Sequence, residues 1–361
     1  MIKGHGGNIN AAAQQAGCHP DEIIDMSSNI NPLGMPPGLL NHLRDRMSTI
    51  LRLPEVDAGK AVEKTGQYLG VEPACLLMGT GTTQFIYSAV PALAPQTVLI
   101  VGPTYADYAS SCQMYGIEPD YFFADPADEF KVDCRRLAEE ADGYDLVFLC
   151  NPNNPTGHLI PHDLLLQLCS DTPTTTFIID ESYLGFASSG QDRSMISSRP
   201  DNVVVLWSLS KLFCLPGLRA GFLVAAPEVI SRFSRFMQPW CANSLSQEAV
   251  LYLTESGRQL EEFVAATKIF IKQENVLLRQ RLADCLVELY PTVTPYTLIA
   301  LPEKIDSSWL CKVLLAHRLL IRDCSNFSGL SSHYVRVSLK KEDINRQLAE
   351  LLLFYMKEKQ C

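Results

Sequence analysis

Short apolar runs that close on polar or turn-forming residues constrain this chain more than any other feature. Val98-Leu99-Ile100-Val101 closes on Gly102-Pro103, and Leu146-Val147-Phe148-Leu149-Cys150 closes on Asn151-Pro152. Phe177-Ile178-Ile179 closes on Asp180, Val203-Val204-Val205-Leu206-Trp207 closes on Ser208, and Gly221-Phe222-Leu223-Val224 is a further run. Apolar runs without polar alternation belong to strands buried on both faces, and here segments of helix length separate them. The expectation is α/β architecture, in which ligands bind outside the carboxyl ends of the strands.

A chain of 361 residues exceeds what one compact core usually supports. The pattern changes near Leu245. Ser246 to Leu286 reads as long helix, poor in Gly and Pro. Strand candidates follow at Thr297–Leu301, Leu319–Arg322 and Tyr334–Ser338, and a closing helix runs from Lys341 to about Met356. Ser27–Gly38 is rich in Pro, Gly and Asn and reads as an arm or loop. The expected division is an N-terminal arm over 1–40 that contributes to the active site, a large α/β domain over 41–245, and a small α+β domain over 246–361.

Composition excludes several classes of protein. Hydrophobic residues make up 47% and charged residues 19%, which is globular rather than disordered or fibrous. The net charge is −10 and no block of Lys and Arg occurs, so nucleic acid is not an expected partner. A few focused arginines can still bind an anionic small molecule. No apolar run approaches a membrane span, and Met1–Gly7 holds no core of signal-peptide length, so a cytoplasmic location is expected. The 12 cysteines show no C-x-x-C spacing and no grouping with His, which indicates free thiols and no metal site.

Polar motifs fall where the strands end. Asn153-Asn154-Pro155-Thr156-Gly157 follows one strand, Asp180-Glu181-Ser182-Tyr183 the next, and Ser208-Leu209-Ser210-Lys211 the third. Arg219 comes shortly after the lysine, within Gly217-Leu218-Arg219-Ala220-Gly221. Singly they are weak, because a strand-end Asp is often a helix cap and Asn-Pro pairs are ordinary turn formers. In this order they fit the needs of pyridoxal 5′-phosphate (PLP), an electron sink whose ring and phosphate the protein must hold. Asp180 suits the pyridine nitrogen, which a carboxylate keeps protonated. Asn154 and Tyr183 suit the phenolic oxygen, and Lys211 the Schiff base.

The phosphate needs a cation, hydroxyls and the N–H groups of a helix start. Arg219, Ser208 and Ser210 supply the first two. Gly79-Thr80-Gly81-Thr82-Thr83-Gln84, between Leu76-Leu77-Met78 and the helical Phe85–Val90, supplies the third through Gly81, Thr82 and Thr83. Tyr105 is placed either to stack on the cofactor ring or to serve as an ordinary half-buried aromatic.

These motifs resemble the fold-type I PLP enzymes of the aspartate-aminotransferase kind, over nearly the whole chain, and among them the branch holding histidinol-phosphate aminotransferase. A narrower resemblance is to the L-threonine-O-3-phosphate decarboxylases of cobamide biosynthesis. Its carriers are His5-Gly6-Gly7-Asn8, Ser27-Ser28-Asn29-Ile30-Asn31-Pro32-Leu33-Gly34, Met237-Gln238-Pro239-Trp240, and Leu320-Ile321-Arg322-Asp323-Cys324. The opening His-Gly-Gly-Asn separates that group from the aminotransferases, which generally lack it. The resemblance implies a mixed, mostly parallel central sheet, a smaller α+β unit, PLP as cofactor and a homodimer. It also implies loss of CO2 from threonine phosphate, or from serine phosphate, with histidinol-phosphate-type transamination as the alternative.

The reaction depends on which Cα bond stands perpendicular to the ring. A decarboxylase must turn the substrate carboxylate out of plane. Arg322, Arg336, His5, Asn29 and Asn154 are the expected substrate ligands, since guanidinium groups bind phosphate bidentately. Arg322 beside Asp323 could instead be a surface pair, whereas Arg336 is flanked by apolar residues. One departure stands out. Related enzymes carry Tyr-Pro-Asp where this chain has Leu53-Pro54-Glu55, and that Tyr reaches the PLP phosphate of the neighbouring subunit.

Overall fold

The computed structural model describes residues 6–187 and 194–359. All the apolar runs enter one 7-stranded sheet. Its spatial order is Leu76–Gly79, Gly221–Val224, Val203–Ser208, Thr176–Asp180, Leu146–Cys150, Val98–Gly102 and Asp120–Phe123. Neighbours pair in parallel except at Gly221–Val224, which is antiparallel to both strands beside it. The sheet is therefore mixed and mostly parallel.

The absence of polar alternation has the expected cause. Every residue of Val98–Gly102 and Leu146–Cys150 is buried. Ile100 and Phe148 face one layer of the core with Phe85, while Leu99 and Val147 face the other with Phe177. Successive side chains point to opposite sides, and both sides are dry. The edge strand Asp120–Phe123 has only Phe122 buried, and its short aromatic run was not among the strands expected from the sequence.

The C-terminal part holds an antiparallel 4-stranded sheet in the order Arg322–Asp323, Tyr334–Ser338, Tyr296–Ala300 and Glu288–Leu289. The helices Gly257–Arg281 and Glu342–Glu358 pack together beside it. Two expectations need correction. The long helix is two helices, Ser244–Glu255 and Gly257–Arg281, because Gly257 adopts a positive φ of 47° that turns the chain. The candidate strand Leu319–Arg322 is also two. Leu319–Leu320 pairs in parallel with Ile24–Asp25, while Arg322–Asp323 joins the antiparallel sheet.

The N-terminal stretch is firmly packed. Helix Ile9–Ala16 sets Ala12 and Ala13 against Ile23 and Leu315. Met26 is fully buried and its carbonyl accepts from Ser338 N at 2.8 Å. Asn31 then fastens the chain beside the lysine: its N–H donates to Lys211 O at 3.0 Å and its Nδ2 to Leu212 O at 2.8 Å. Among the described residues, no helix is long and apolar enough to cross a membrane, and no group of His, Cys, Asp and Glu could hold a metal ion.

Candidate active site

A cleft of about 240 Å³ opens at the carboxyl ends of the central strands. Asp180 ends its strand at 5% exposure. Burial pushes its carboxyl group upward. Three neighbours oppose that push. Ser182 N donates to Oδ1 at 2.9 Å, Tyr108 O–H donates to Oδ2 at 2.8 Å, and Lys211 adds a positive charge. Lys211 lines the same cleft. Burial, then the charges of Arg336 and Arg219, lower its amine to about 8. It is thus poised to exchange a proton near neutral pH.

Asn154 and Tyr183 stand nearby, both buried. The Asn154 carbonyl oxygen accepts from Arg336 Nη1, which leaves the amide N–H to donate elsewhere. The Tyr183 oxygen accepts from Asn29 Nδ2 at 3.1 Å, and burial holds the phenol protonated well above its ordinary range. The other asparagines of the turn are structural. Asn151 closes a pair of bonds with Ile160, and Asn153 donates to Pro103 O and Thr156 Oγ1.

The residues expected at the phosphate converge as well. Helix Thr82–Leu93 begins at the cleft, where Thr82, Thr83, Ser208, Ser210 and Arg219 line the wall. Gly81 has φ +82°, and a Cβ there would lie 2.7 Å from Arg219 Nη2. The positive φ favours glycine, and its lack of a Cβ leaves the guanidinium room at the helix start. A Cβ on Gly221 would meet Thr82 N at 2.8 Å, so a second glycine keeps the same approach open. An acid, a lysine, an amide donor and a glycine-lined cationic cradle in one cleft fit PLP. Tyr105 lines the cleft too, its O–H donating to Asp107 Oδ2 at 2.7 Å.

The opposite wall comes from distant parts of the chain. Arg336 is 5% exposed, donates through Nη2 to Ser27 O, and lies over the Tyr296 ring at 5.3 Å. Its Nε is buried without a partner among the described residues. Arg322 donates to the Asp323 carbonyl and to Asn326 Oδ1, and lies over Phe327 at 4.9 Å. The Asp323 carboxylate is directed elsewhere, accepting from Ser307 Oγ and Ser325 N. Asn29 lines the cleft with both ends of its amide engaged, by Tyr183 and by Ser338 Oγ at 2.9 Å. His5 lies outside the described residues.

The sequence reading passed over Tyr108, Ser182, Asn326 and Phe327, all of which line the cleft. Tyr108 follows Tyr105 by three positions, at the start of the helix Asp107–Met114. Asn326 and Phe327 sit in a loop whose partners are set by tertiary contacts, and no local pattern marks them.

Comparisons with known proteins agree with this geometry. Residues 21–352 match the family model described as aminotransferase class I and II. The chain is 33% identical to a threonine-phosphate decarboxylase of Salmonella typhimurium, over 96% of this chain and 95% of that protein. A solved structure of L-threonine-O-3-phosphate decarboxylase from Porphyromonas gingivalis superposes with a TM-score of 0.82 at 29% identity, covering 92% of this chain and 99% of the other. A histidinol-phosphate aminotransferase from Sinorhizobium meliloti, solved with PLP, shares the fold at a TM-score of 0.84 and 18% identity, covering 98% and 95%. The chain belongs to the class I and II aminotransferase family of PLP enzymes, and within it is kin to threonine-phosphate decarboxylase.

Proposed function

We propose that the protein is a decarboxylase of an O-phosphorylated β-hydroxy amino acid. It converts L-threonine-O-3-phosphate to (R)-1-amino-2-propanol O-phosphate for the nucleotide loop of a cobamide, with L-serine-O-phosphate as the competing substrate. The observation that carries this reading is a pair of guanidinium groups beyond the one that suits the cofactor. Arg219 lies at the helix start that suits the cofactor phosphate, and Arg322 and Arg336 remain across the cleft. A substrate phosphate, being a dianion, matches two such cations.

Bound PLP supplies the electron sink that takes up the electron pair left when CO2 departs. The chain's own residues do the rest. Asp180 would hold the ring nitrogen, while Asn154 and Tyr183 would donate toward the phenolic oxygen. Arg336 and Arg322 would hold the substrate phosphate, with His5 as a further ligand that the resemblance implies, and this grip would turn the carboxylate out of plane. Asn29 contributes by fixing Tyr183. Lys211 would hold the cofactor, and its amine, lowered to about 8, would be the group that delivers a proton to Cα. We read the chain as an arm over 1–40, a large domain over 41–245 and a small domain over 246–361, working in the cytoplasm as one subunit of a homodimer.

The test is CO2 release by the PLP-loaded protein from each phosphorylated amino acid, with no keto acid present. Release from either establishes the decarboxylase, and the ratio of kcat/KM values names the substrate. Turnover that requires 2-oxoglutarate, without CO2, would refute it in favour of transamination.

A further inference from the structure

We propose that Tyr108 is a positioning residue that keeps Asp180 charged and aimed at the ring nitrogen of PLP. Asp180 is a carboxylate in a dry place, and a dry carboxylate takes up a proton unless donors hold its charge. Two residues donate to it: Ser182, through its side chain and through its N–H on Oδ1, and Tyr108, through its hydroxyl on Oδ2 at 2.8 Å. The Ser182 donors come with the turn that follows the strand. The Tyr108 hydroxyl is brought in from a separate helix.

Packing fixes that hydroxyl. Tyr108 lies in helix Asp107–Met114 and is 1% exposed. Its ring stacks on Phe148 at 5.1 Å and 12°, and meets Tyr105 edge-on at 5.8 Å and 85°. The O–H therefore holds its place whether or not the cleft is filled. Burial and the nearby Asp180 keep the phenol protonated, so it has a proton to donate, and a carboxylate oxygen can only accept it. The bland alternative is a core tyrosine that found an acceptor. The two differ in what the bond does. A packing bond supports any ligand of the cleft equally, whereas a bond that keeps Asp180 charged matters only to a ligand with a ring nitrogen.

Equilibrium binding of PLP and of 1-deazapyridoxal 5′-phosphate, in which carbon replaces that nitrogen, separates the two. Tyr108→Phe removes one oxygen and leaves the stacked ring. The expected result is about tenfold weaker binding of PLP with the deaza analogue unchanged, since a hydrogen bond to a charged group is at stake. Equal losses for both ligands, or no loss for PLP, would overturn the proposal. If the Phe variant does not fold, 3-fluorotyrosine placed at position 108 gives a stronger donor of the same shape. It should tighten PLP about twofold and leave the analogue alone, and any shift common to both ligands, or none, would count against us. Because binding is measured rather than turnover, the result is independent of which substrate the enzyme takes.

Discussion

The cofactor end of the cleft is furnished by the strand ends of a single sheet, whereas the end we assign to the substrate is gathered from remote stretches of chain. Asn154, Asp180 and Ser208–Lys211 each follow or close a strand whose neighbours are already fixed by ladder bonds. Arg336 comes from a strand of the other sheet, Arg322 from its edge, and Ser27–Asn29 from the N-terminal stretch. The first end is rigid because of where its residues sit in the sheet. The second depends on how separately built pieces meet, and side chains such as Arg336 bridge the seam through Asn154 and Ser27. Chemistry common to a large family belongs on the first, and substrate choice on the second.

If that division is right, damage to the two ends should be distinguishable. The largest effect is expected at the cofactor end. Lys211→Ala should lower CO2 release by at least about 10³-fold, because both the covalent attachment and the proton donor vanish. Borohydride should then no longer fix PLP to the chain, as mass spectrometry would report. Activity that survived would break the comparison outright.

At the other end, Arg336→Ala should raise KM for the phosphorylated substrate by about 10–100-fold, the worth of a charge-assisted hydrogen bond in a dry site. PLP affinity should change by less than about threefold if the ends are separable. Arg322→Ala should cost less, roughly 3–10-fold, since that guanidinium is less buried and held mainly by its own loop. Reversal of that order, or an unchanged KM for Arg336→Ala, would show that the phosphate is held elsewhere.

The same contrast explains what could be read from the sequence. The cofactor end was legible because its residues lie at fixed offsets from apolar runs that both faces of the sheet require. Asp180 needed only Phe177-Ile178-Ile179 before it to be placed. The split of Leu319–Arg322 between two sheets was not legible, since an apolar run does not name its partner and both partners lie far away in sequence. Asn326 and Phe327 were missed for the same reason. Arg336 was found because an arginine among apolar residues in a strand must answer for its charge, and at 5% exposure it does so inside the cleft. The break at Gly257 was open to inspection, as a glycine within a helical pattern, but long apolar periodicity on both sides outweighed it.

Acidity sharpens the cofactor end further. Lys211 is held down to about 8, first by burial and then by Arg336 and Arg219. A lysine is nucleophilic only when neutral, so the neutral fraction grows as pH rises through that value. The rate of covalent PLP capture by the cofactor-free protein should therefore rise about tenfold from pH 7 to pH 9 and level off above. Stopped-flow absorbance would follow it. A rate still climbing about tenfold from pH 8 to pH 9 and levelling only near pH 11 would mean that the amine keeps an ordinary lysine value and that the two arginines do not reach it. Arg336→Ala offers a cross-check from the substrate end, because losing that charge should move the midpoint upward.

The smallest effect concerns the place where this chain departs from the enzymes it resembles. Leu53 is 75% exposed, among the exposed apolar side chains Met47, Ile50, Leu51 and Val56. In the resembling enzymes a tyrosine at this place reaches the cofactor phosphate of the neighbouring subunit. Leucine has no hydroxyl to offer, so the proposed phosphate site is left to Arg219, the two serines and the helix start, all of which line the cleft. Leu53→Tyr should slow PLP dissociation by about 3–10-fold, the worth of one added hydrogen bond, without altering KM for the substrate. That gain requires a second copy to bring position 53 to the site, so it should fade on dilution below the dimer dissociation constant measured by sedimentation. A gain that persists in the monomer would place the tyrosine in its own subunit's cleft. No gain at all would mean that this stretch does not reach the phosphate, and that the cofactor end is complete within one chain.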